Sequence, residues 1–143
     1  MNNQRMPSKP RKPDLTHTHP ETGVVASVRI GDCRVELPKF DAVKNKQVDL
    51  VFADPPFNWA RDYDRHETGD AWDDAAMSRD EYLGFTYEWL ELCAGALKPA
   101  GSMWVNIPDD SAAEIVVHLK KIGMHMVNWC VWHYRFGQNT KGR

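Results

Sequence analysis

The sequence predicts an α/β fold built on a partial doubly wound, mainly parallel β-sheet, and three observations point to it. Residues 48–53 (VDLVFA) and 102–107 (SMWVNI) are short, nearly continuous apolar runs, the pattern of strands that are covered on both faces. Helical patterns occupy residues 78–97 and 109–122, so strands and helices alternate as in parallel βαβ units. The length of 143 residues fits one domain with a single hydrophobic core.

The N-terminal segment, residues 1–22, combines prolines and basic residues with almost no large apolar side chains. Such a segment cannot repay the entropy of ordering, so we predict a flexible basic arm followed by one folded domain over residues 23–143. The segment lacks the apolar stretch of a secretory signal, and no apolar run reaches the ~20 residues that span a bilayer. We therefore expect a cytoplasmic protein without a membrane role.

The folded region is predicted to begin with a strand over residues 24–30 (VVASVRI), which is rich in β-branched side chains. A short helical turn is predicted over 33–40 (CRVELPKF). Residues 58–77 show no sustained period, and a connection of that length is typical of lids and binding surfaces. Because this loop contains three aromatic side chains, we expect it to be docked rather than disordered.

The strongest helix prediction rests on Ser78 and Glu81, which form a capping-box pattern, and on apolar side chains at helical spacing up to Pro99. A second helix is predicted to end at Gly123, and 124–134 (MHMVNWCVWHY) is predicted to be a third strand. The stripe that we expect to pack on the core in the first helix consists of Leu83, Tyr87, Leu90, Ala94 and Leu97.

Composition restricts the chemistry. The net charge of -2 does not indicate the basic surface that a nucleic-acid binder usually carries. Cys33, Cys93 and Cys130 lie far apart without a C-x-x-C pair, which argues against a disulfide framework and a zinc site. The histidines also lack metal-ligand spacing. We predict no metal, reduced cysteines and at least two cysteines that fill the core.

The segment 54–58 (DPPFN) directly follows the first apolar run, and ligands of open α/β sheets bind beyond the carboxyl ends of strands. Proline has no N–H and restricts the residue before it, so the Asp54 carboxylate and the Pro55 carbonyl can lie side by side as acceptors with no donor between them. Two adjacent acceptors suit the exocyclic amine of a nucleobase, because accepting from both of its N–H groups directs the nitrogen lone pair outward. Phe57 offers a flat face on which an extruded nucleobase could stack, a contact worth roughly 1–3 kcal/mol per base. A purely structural turn remains the alternative, because Asp and Pro are ordinary turn residues.

These residues resemble the D-P-P-Y/F motif of the S-adenosylmethionine-dependent DNA amino-methyltransferases, and most of all their β group. The resemblance covers residues 24–143 and extends through IGDCRVEL, EWLELCAGALKPAGSMWVNI and NWCVWHYRFGQNTKGR. It implies the sheet of the S-adenosylmethionine-dependent methyltransferase type. The β group places target recognition and a glycine-rich F-x-G-x-G motif after the catalytic motif, and this sequence contains no G-x-G. The resemblance therefore implies that residues 23–143 form the front portion of a catalytic domain, truncated before both features.

Carried over by position, the resemblance implies that Asp54 and Pro55 hold the target amine and that Pro56 fixes the turn. Phe57 would stack the base where many relatives have Tyr. Asp54 would also lie beside the methyl donor.

The resemblance further implies that Asp32 and Cys33 face the adenine of S-adenosylmethionine, although Cys33 has an alternative role as a small buried hydrophobe. Asn58 and Trp72 would line the base pocket, with loop packing as the alternative.

The function implied is site-specific methylation of the N6 amine of adenine in double-stranded DNA, on a flipped base, within a restriction–modification system. Asp rather than Ser at position 54 favours adenine over a cytosine-N4 enzyme. Two further functions stay open, a ribosomal RNA guanine-N2 methyltransferase and a catalytically silent fragment that serves as a binding module. A partner restriction endonuclease and a homodimer are both left open.

Overall fold

The computed structural model describes residues 15–59 and 77–133 of the chain. Three segments lie outside the described residues. They are residues 1–14 of the predicted arm, residues 60–76 of the predicted loop, which include Trp72, and the last ten residues. In chain order the elements are β1 (Leu15–Thr18), β2 (Val25–Val28), α1 (Cys33–Glu36), a 3₁₀ turn (Leu37–Lys39), α2 (Asp41–Lys44), β3 (Val48–Ala53), α3 (Arg79–Ala96), β4 (Leu97–Val105) and α4 (Ala112–Lys121).

The first described residues form an antiparallel hairpin of β1 and β2, in which Leu15 lies opposite Val28. The turn between the strands is closed by the His19 N–H, which donates to the Val24 carbonyl at 2.8 Å, and Gly23 takes a φ of 70° that favours glycine. Residues 15–18 of the predicted arm form β1, because pairing with β2 supplies backbone hydrogen bonds that the composition of the segment does not reveal. The strand predicted over 24–30 is present, but it pairs with β1 and not with a parallel neighbour.

The two apolar runs form the parallel pair β3–β4, as predicted, and Ala53 lies opposite Val105 at its carboxyl end. Helix α3 joins the strands, so β3, α3 and β4 form one βαβ unit. The second strand begins earlier than predicted, directly after α3. Its register is irregular near Val48, where Gly101 passes so close that a Cβ would lie 2.9 Å from the Val48 carbonyl oxygen.

Only one face of this strand pair is covered within the described residues. Leu50, Phe52 and Trp104 remain 57%, 70% and 54% exposed, so the prediction of strands covered on both faces is wrong for this part of the chain. Helices α3 and α4 lie against the opposite face. The strand residues that pack against the core are Val51, Ala53, Met103 and Val105.

Helix α3 begins with the predicted capping box. The Ser78 side chain accepts from the Glu81 N–H, and the Glu81 carboxylate accepts from the Ser78 N–H at 2.9 Å. The buried face is rotated from the predicted stripe, of which only Leu90 is fully buried. Thr86, which a hydropathy pattern does not select, is buried with the large side chains. The buried residues of α3 are Tyr82, Thr86, Trp89, Leu90, Cys93 and Ala96.

Helix α4 contributes Ile115 to the core cluster with Trp89, Leu90 and Cys93, and the chain turns at Gly123 with a φ of 88°. Residues 124–133 contain no strand, so the prediction of a third strand is wrong for them. Their β-branched and aromatic side chains are exposed, and they pair with none of the described strands. Among the described helices, none has the length and apolar character needed to cross a bilayer.

Candidate active site

Asp54 comes directly after the last residue of β3 and its side chain is exposed at the carboxyl end of the strand pair. Asn106 lies in the matching place after β4. Its side-chain Nδ2 donates to Asp54 Oδ1 at 3.1 Å, and its backbone N–H donates to the Ala53 carbonyl at 2.9 Å. The strand pairing thus brings a carboxylate and a neutral donor together across 52 residues of sequence.

Two acceptors at this strand end are unused. Asp54 Oδ2 and the Pro55 carbonyl oxygen accept no hydrogen bond from any residue in the ranges that the structure describes. The next carbonyl, that of Pro56, accepts from the hydroxyl of Tyr82 at 3.1 Å. Tyr82 is 3% exposed and belongs to α3, so the core helix fixes the path of the proline segment.

Phe57 and Trp59 form an edge-to-face aromatic pair with ring centroids 5.0 Å apart and an interplanar angle of 68°. Trp59 Nε1 donates to Asp110 Oδ2 at 3.2 Å, which ties the pair to the segment before α4. Asn58 takes a φ of 58°, a conformation that Asn tolerates better than most residues, and its Nδ2 donates to the Met77 carbonyl at 2.9 Å. This contact joins the two described residues that flank most of the predicted loop.

Asp32 is the N-cap of α1 and accepts from the Arg34 backbone N–H at 3.0 Å. The Arg34 guanidinium also donates to both carboxylate oxygens, with Nη2 2.7 Å from Oδ2, and to Glu88 at 2.7 Å. Hydrogen bonding to Asp32, followed by that to Glu88, raises the pKa of Arg34, so the guanidinium stays charged. The predicted cofactor contact of Asp32 would therefore have to be made by a carboxylate that is already in an ion pair.

Cys33 is half-buried and packs against the core cluster, and burial followed by the negative charge of Asp32 raises the pKa of its thiol. This surrounding matches the alternative role of a small buried hydrophobe. No group of three or more potential metal ligands occurs within residues 15–59 and 77–133.

The sequence prediction did not single out Asn106 or Tyr82. The signal for Asn106 was a polar residue near the end of the predicted strand 102–107, at the same edge of the sheet as Asp54. Tyr82 carried no signal that separated it from ordinary core residues. An open groove beside Tyr87 and His118, between α3 and α4, does not include any residue of the 54–58 segment.

A βαβ unit with polar side chains at the carboxyl ends of its parallel strands defines the class of α/β proteins that bind ligands at that edge. Within this class, the profile of the N6/N4 DNA methylase family matches residues 48–143, which is more than half of the chain. The chain belongs to the DNA methylase family, and the family resemblance stated from the motif is confirmed.

Three curated relatives are Type II methyltransferases. M.BamHI of Bacillus amyloliquefaciens is 34% identical over 114 residues, M1.MboII of Moraxella bovis 32% over 104 and M.HpaI of Haemophilus parainfluenzae 28% over 106. The alignments cover 79%, 72% and 73% of this chain but only 24%, 36% and 32% of the relatives. The chain thus spans about a quarter to a third of the length of these proteins. No solved structure gives a significant match.

Proposed function

We propose that this chain supplies the amine-binding part of a DNA methyltransferase that methylates the N6 amine of adenine, with S-adenosylmethionine as the methyl donor. The family supports methyl transfer to DNA, and the Type II relatives support a restriction–modification context. Asp at position 54, rather than Ser, favours adenine.

The observation that carries the proposal is a pair of acceptors, Asp54 Oδ2 and the Pro55 carbonyl oxygen, to which none of the described residues donates, between neighbours that are already hydrogen-bonded. An exocyclic amine has two N–H donors, one for each acceptor. Holding both directs the nitrogen lone pair away from the protein, toward the methyl donor. The segment that carries these acceptors is held at both sides, so the geometry exists before substrate arrives.

The described residues fit S-adenosylmethionine at one point. The exposed Asp54 carboxylate can lie beside a positively charged sulfonium, whereas Asp32 is already paired with Arg34. When bound, the cofactor supplies an electrophilic methyl group. Asp54 and Pro55 would hold the amine nitrogen so that its lone pair could take up that methyl group, with the electrons of the broken carbon–sulfur bond left on sulfur. The nitrogen then loses one proton to water, and Asp54 stabilises the positive charge that develops on it.

The aromatic pair gives the base a surface. Phe57 is half-buried and is supported at its edge by Trp59, which is itself hydrogen-bonded to Asp110. A supported ring loses little freedom when a flipped base stacks on it.

The test is transfer of a labelled methyl group to duplex DNA by the complete protein that carries these residues, with the product nucleosides separated. Asp54→Ala should lower kcat at least ~100-fold, since it removes both the amine acceptor and the charge stabilisation. Asp49→Ala is the matched control, because Asp49 lies on the same strand and pairs with Lys98 at the surface. Near-normal turnover by a folded Asp54→Ala variant would refute the proposal.

The same assay separates the competing functions. Detection of N4-methylcytosine in the product would show that the target base is cytosine and not adenine. Transfer to ribosomal RNA alone would favour the guanine-N2 reaction. If the 143-residue chain is a catalytically silent fragment, calorimetric titration with S-adenosylmethionine should release no heat of binding.

A further inference from the structure

Asn106 joins the ends of both parallel strands through two hydrogen bonds. The backbone N–H extends the strand pairing by one residue beyond the Ala53–Val105 pair, at 2.9 Å from the Ala53 carbonyl. The side chain then reaches Asp54 Oδ1 at 3.1 Å. Because the backbone bond fixes the place of Asn106, its amide contacts the carboxylate from a fixed point.

Among residues 15–59 and 77–133, the donor to Asp54 is uncharged, and it contacts only one oxygen. Asp32 shows the contrast, since Arg34 donates to both of its oxygens and compensates its charge. A guanidinium at Asp54 would occupy both acceptor sites and cancel the negative charge. The amide of Asn106 restrains the carboxylate and leaves both the charge and Oδ2 to a ligand.

A single bond to Oδ1 is enough to orient the group. The terminal torsion of an aspartate is broad, so an exposed carboxylate turns over a wide range unless one oxygen is held. With Oδ1 held by Asn106, the position of Oδ2 relative to the Pro55 carbonyl is set. Two acceptors must keep a fixed separation if they are to receive the two N–H groups of one amine.

We propose that Asn106 is a positioning residue that orients the Asp54 carboxylate toward the target amine. The inference rests on the proposed function, because it requires Asp54 to receive that amine. With this role for Asn106, the site includes the ends of two strands. Asp54 follows β3, and Asn106, which contacts it, follows β4.

The test compares two variants of the complete methyltransferase. Asn106→Leu keeps the branched shape and removes the donor, and Asn106→Ser keeps a short donor that can act through a water. Asn106→Leu should lower kcat ~10- to 100-fold, with KM for DNA and for S-adenosylmethionine changed less than about threefold, because orientation matters mainly in the transition state. Asn106→Ser should recover part of kcat. Asn45→Leu, an exposed asparagine after α2, is the control and should leave kcat unchanged.

A double variant separates positioning from a merely structural role. If Asn106 acts through Asp54, Asn106→Leu should cause no further loss of single-turnover rate in the Asp54→Asn background. An additive loss would overturn the inference, as would full kcat in folded Asn106→Leu or a rise in KM alone. If Asn106→Leu does not fold, kcat of Asn106→Ser against wild type decides the question in the same way.

The two proposals fail differently. Inactive Asp54→Ala with fully active Asn106→Leu would leave the proposed function standing and remove the role of Asn106. Active Asp54→Ala would remove both.

Discussion

At the scale of single residues, the 54–58 segment is held by side chains that come from other elements. Asn106 contacts its first residue, Tyr82 contacts the carbonyl of its third, and Asn58 within it reaches across to Met77. The two acceptors to which no described residue donates, Asp54 Oδ2 and the Pro55 carbonyl oxygen, lie between these contacts. The shape of the segment is therefore set by the fold as well as by its two prolines.

Tyr82→Phe should weaken both stability and turnover. The substitution keeps the buried ring and removes the hydroxyl that donates to the Pro56 carbonyl, so we expect the free energy of unfolding to fall by about 1 kcal/mol. Loss of the contact also frees the segment that carries Pro55, so kcat should fall with it. Urea unfolding and the methyl-transfer assay measure the two effects.

Tyr87→Phe is the matched control, because Tyr87 lies on the same helix and stacks on His118 through its ring, 3.9 Å between centroids. It should leave turnover unchanged. Equal loss of turnover in both variants would show that the hydroxyl of Tyr82 has no special link to the site.

The sequence located the acceptor residues but not their supports. Asp54 and its prolines stand out because carboxylate, prolines and aromatic follow one another directly. Asn106 and Tyr82 lie 52 and 26 residues from their partners, and only strand pairing and helix packing bring them close. A single sequence does not carry that distance information.

At the scale of elements, the best prediction was the start of α3. The capping box depends on residues three positions apart, and both of its contacts are present. The buried face of the same helix was predicted less well, because its phase depends on which neighbour it packs against. The third strand failed for the same reason, since a strand forms only by pairing and residues 124–133 pair with none of the described strands.

Ser78→Ala should lower the free energy of unfolding by about 1 kcal/mol at neutral pH, as is typical for loss of an N-cap hydroxyl. Hydrogen bonds from the Ser78 hydroxyl and backbone N–H lower the pKa of Glu81 below its ordinary value. Stability from this contact is therefore fully present above the ordinary glutamate pKa and is lost as the pH falls through the lowered value.

The difference in stability between wild type and Ser78→Ala should thus shrink on acidification, and urea unfolding at a series of pH values measures it. Ser102→Ala, at an exposed position of β4, serves as the control and should show no such dependence. A difference that stays constant down to strongly acidic pH would contradict the role of Glu81.

At the scale of the whole molecule, the described chain is built around one covered face of a parallel strand pair. The sequence predicted the strand pair and the helices α3 and α4 correctly, because both leave local patterns. It did not predict which face would be covered, since an apolar strand residue has the same pattern whether a helix lies above it or not. The exposed side chains of Leu50, Phe52 and Trp104 are the result.

The three cysteines differ in burial, so their reactivity measures this packing. Cys130 is exposed, Cys33 is half-buried, and Cys93 is buried in the core, where burial raises the pKa of its thiol to about 11. Because the thiolate is the reactive form, iodoacetamide at about pH 8 should modify Cys130 first and Cys93 last.

Mass spectrometry of peptides after timed labelling measures the order. In denaturant all three cysteines should react at similar rates, which provides the control. Modification of Cys93 as fast as Cys130 under native conditions would show that α3 does not pack as described.

The hydrogen bond from Tyr82 to Pro56 joins the interior of the protein to the edge of its sheet. One face of α3 fills the core, and its first turns also set the conformation of the strand end. If heat or a cavity loosens the packing around Leu90, the backbone that carries the Asp54 and Pro55 acceptors should become more mobile before the domain unfolds. Thermal inactivation is accordingly expected to begin at a lower temperature than the loss of helical circular dichroism.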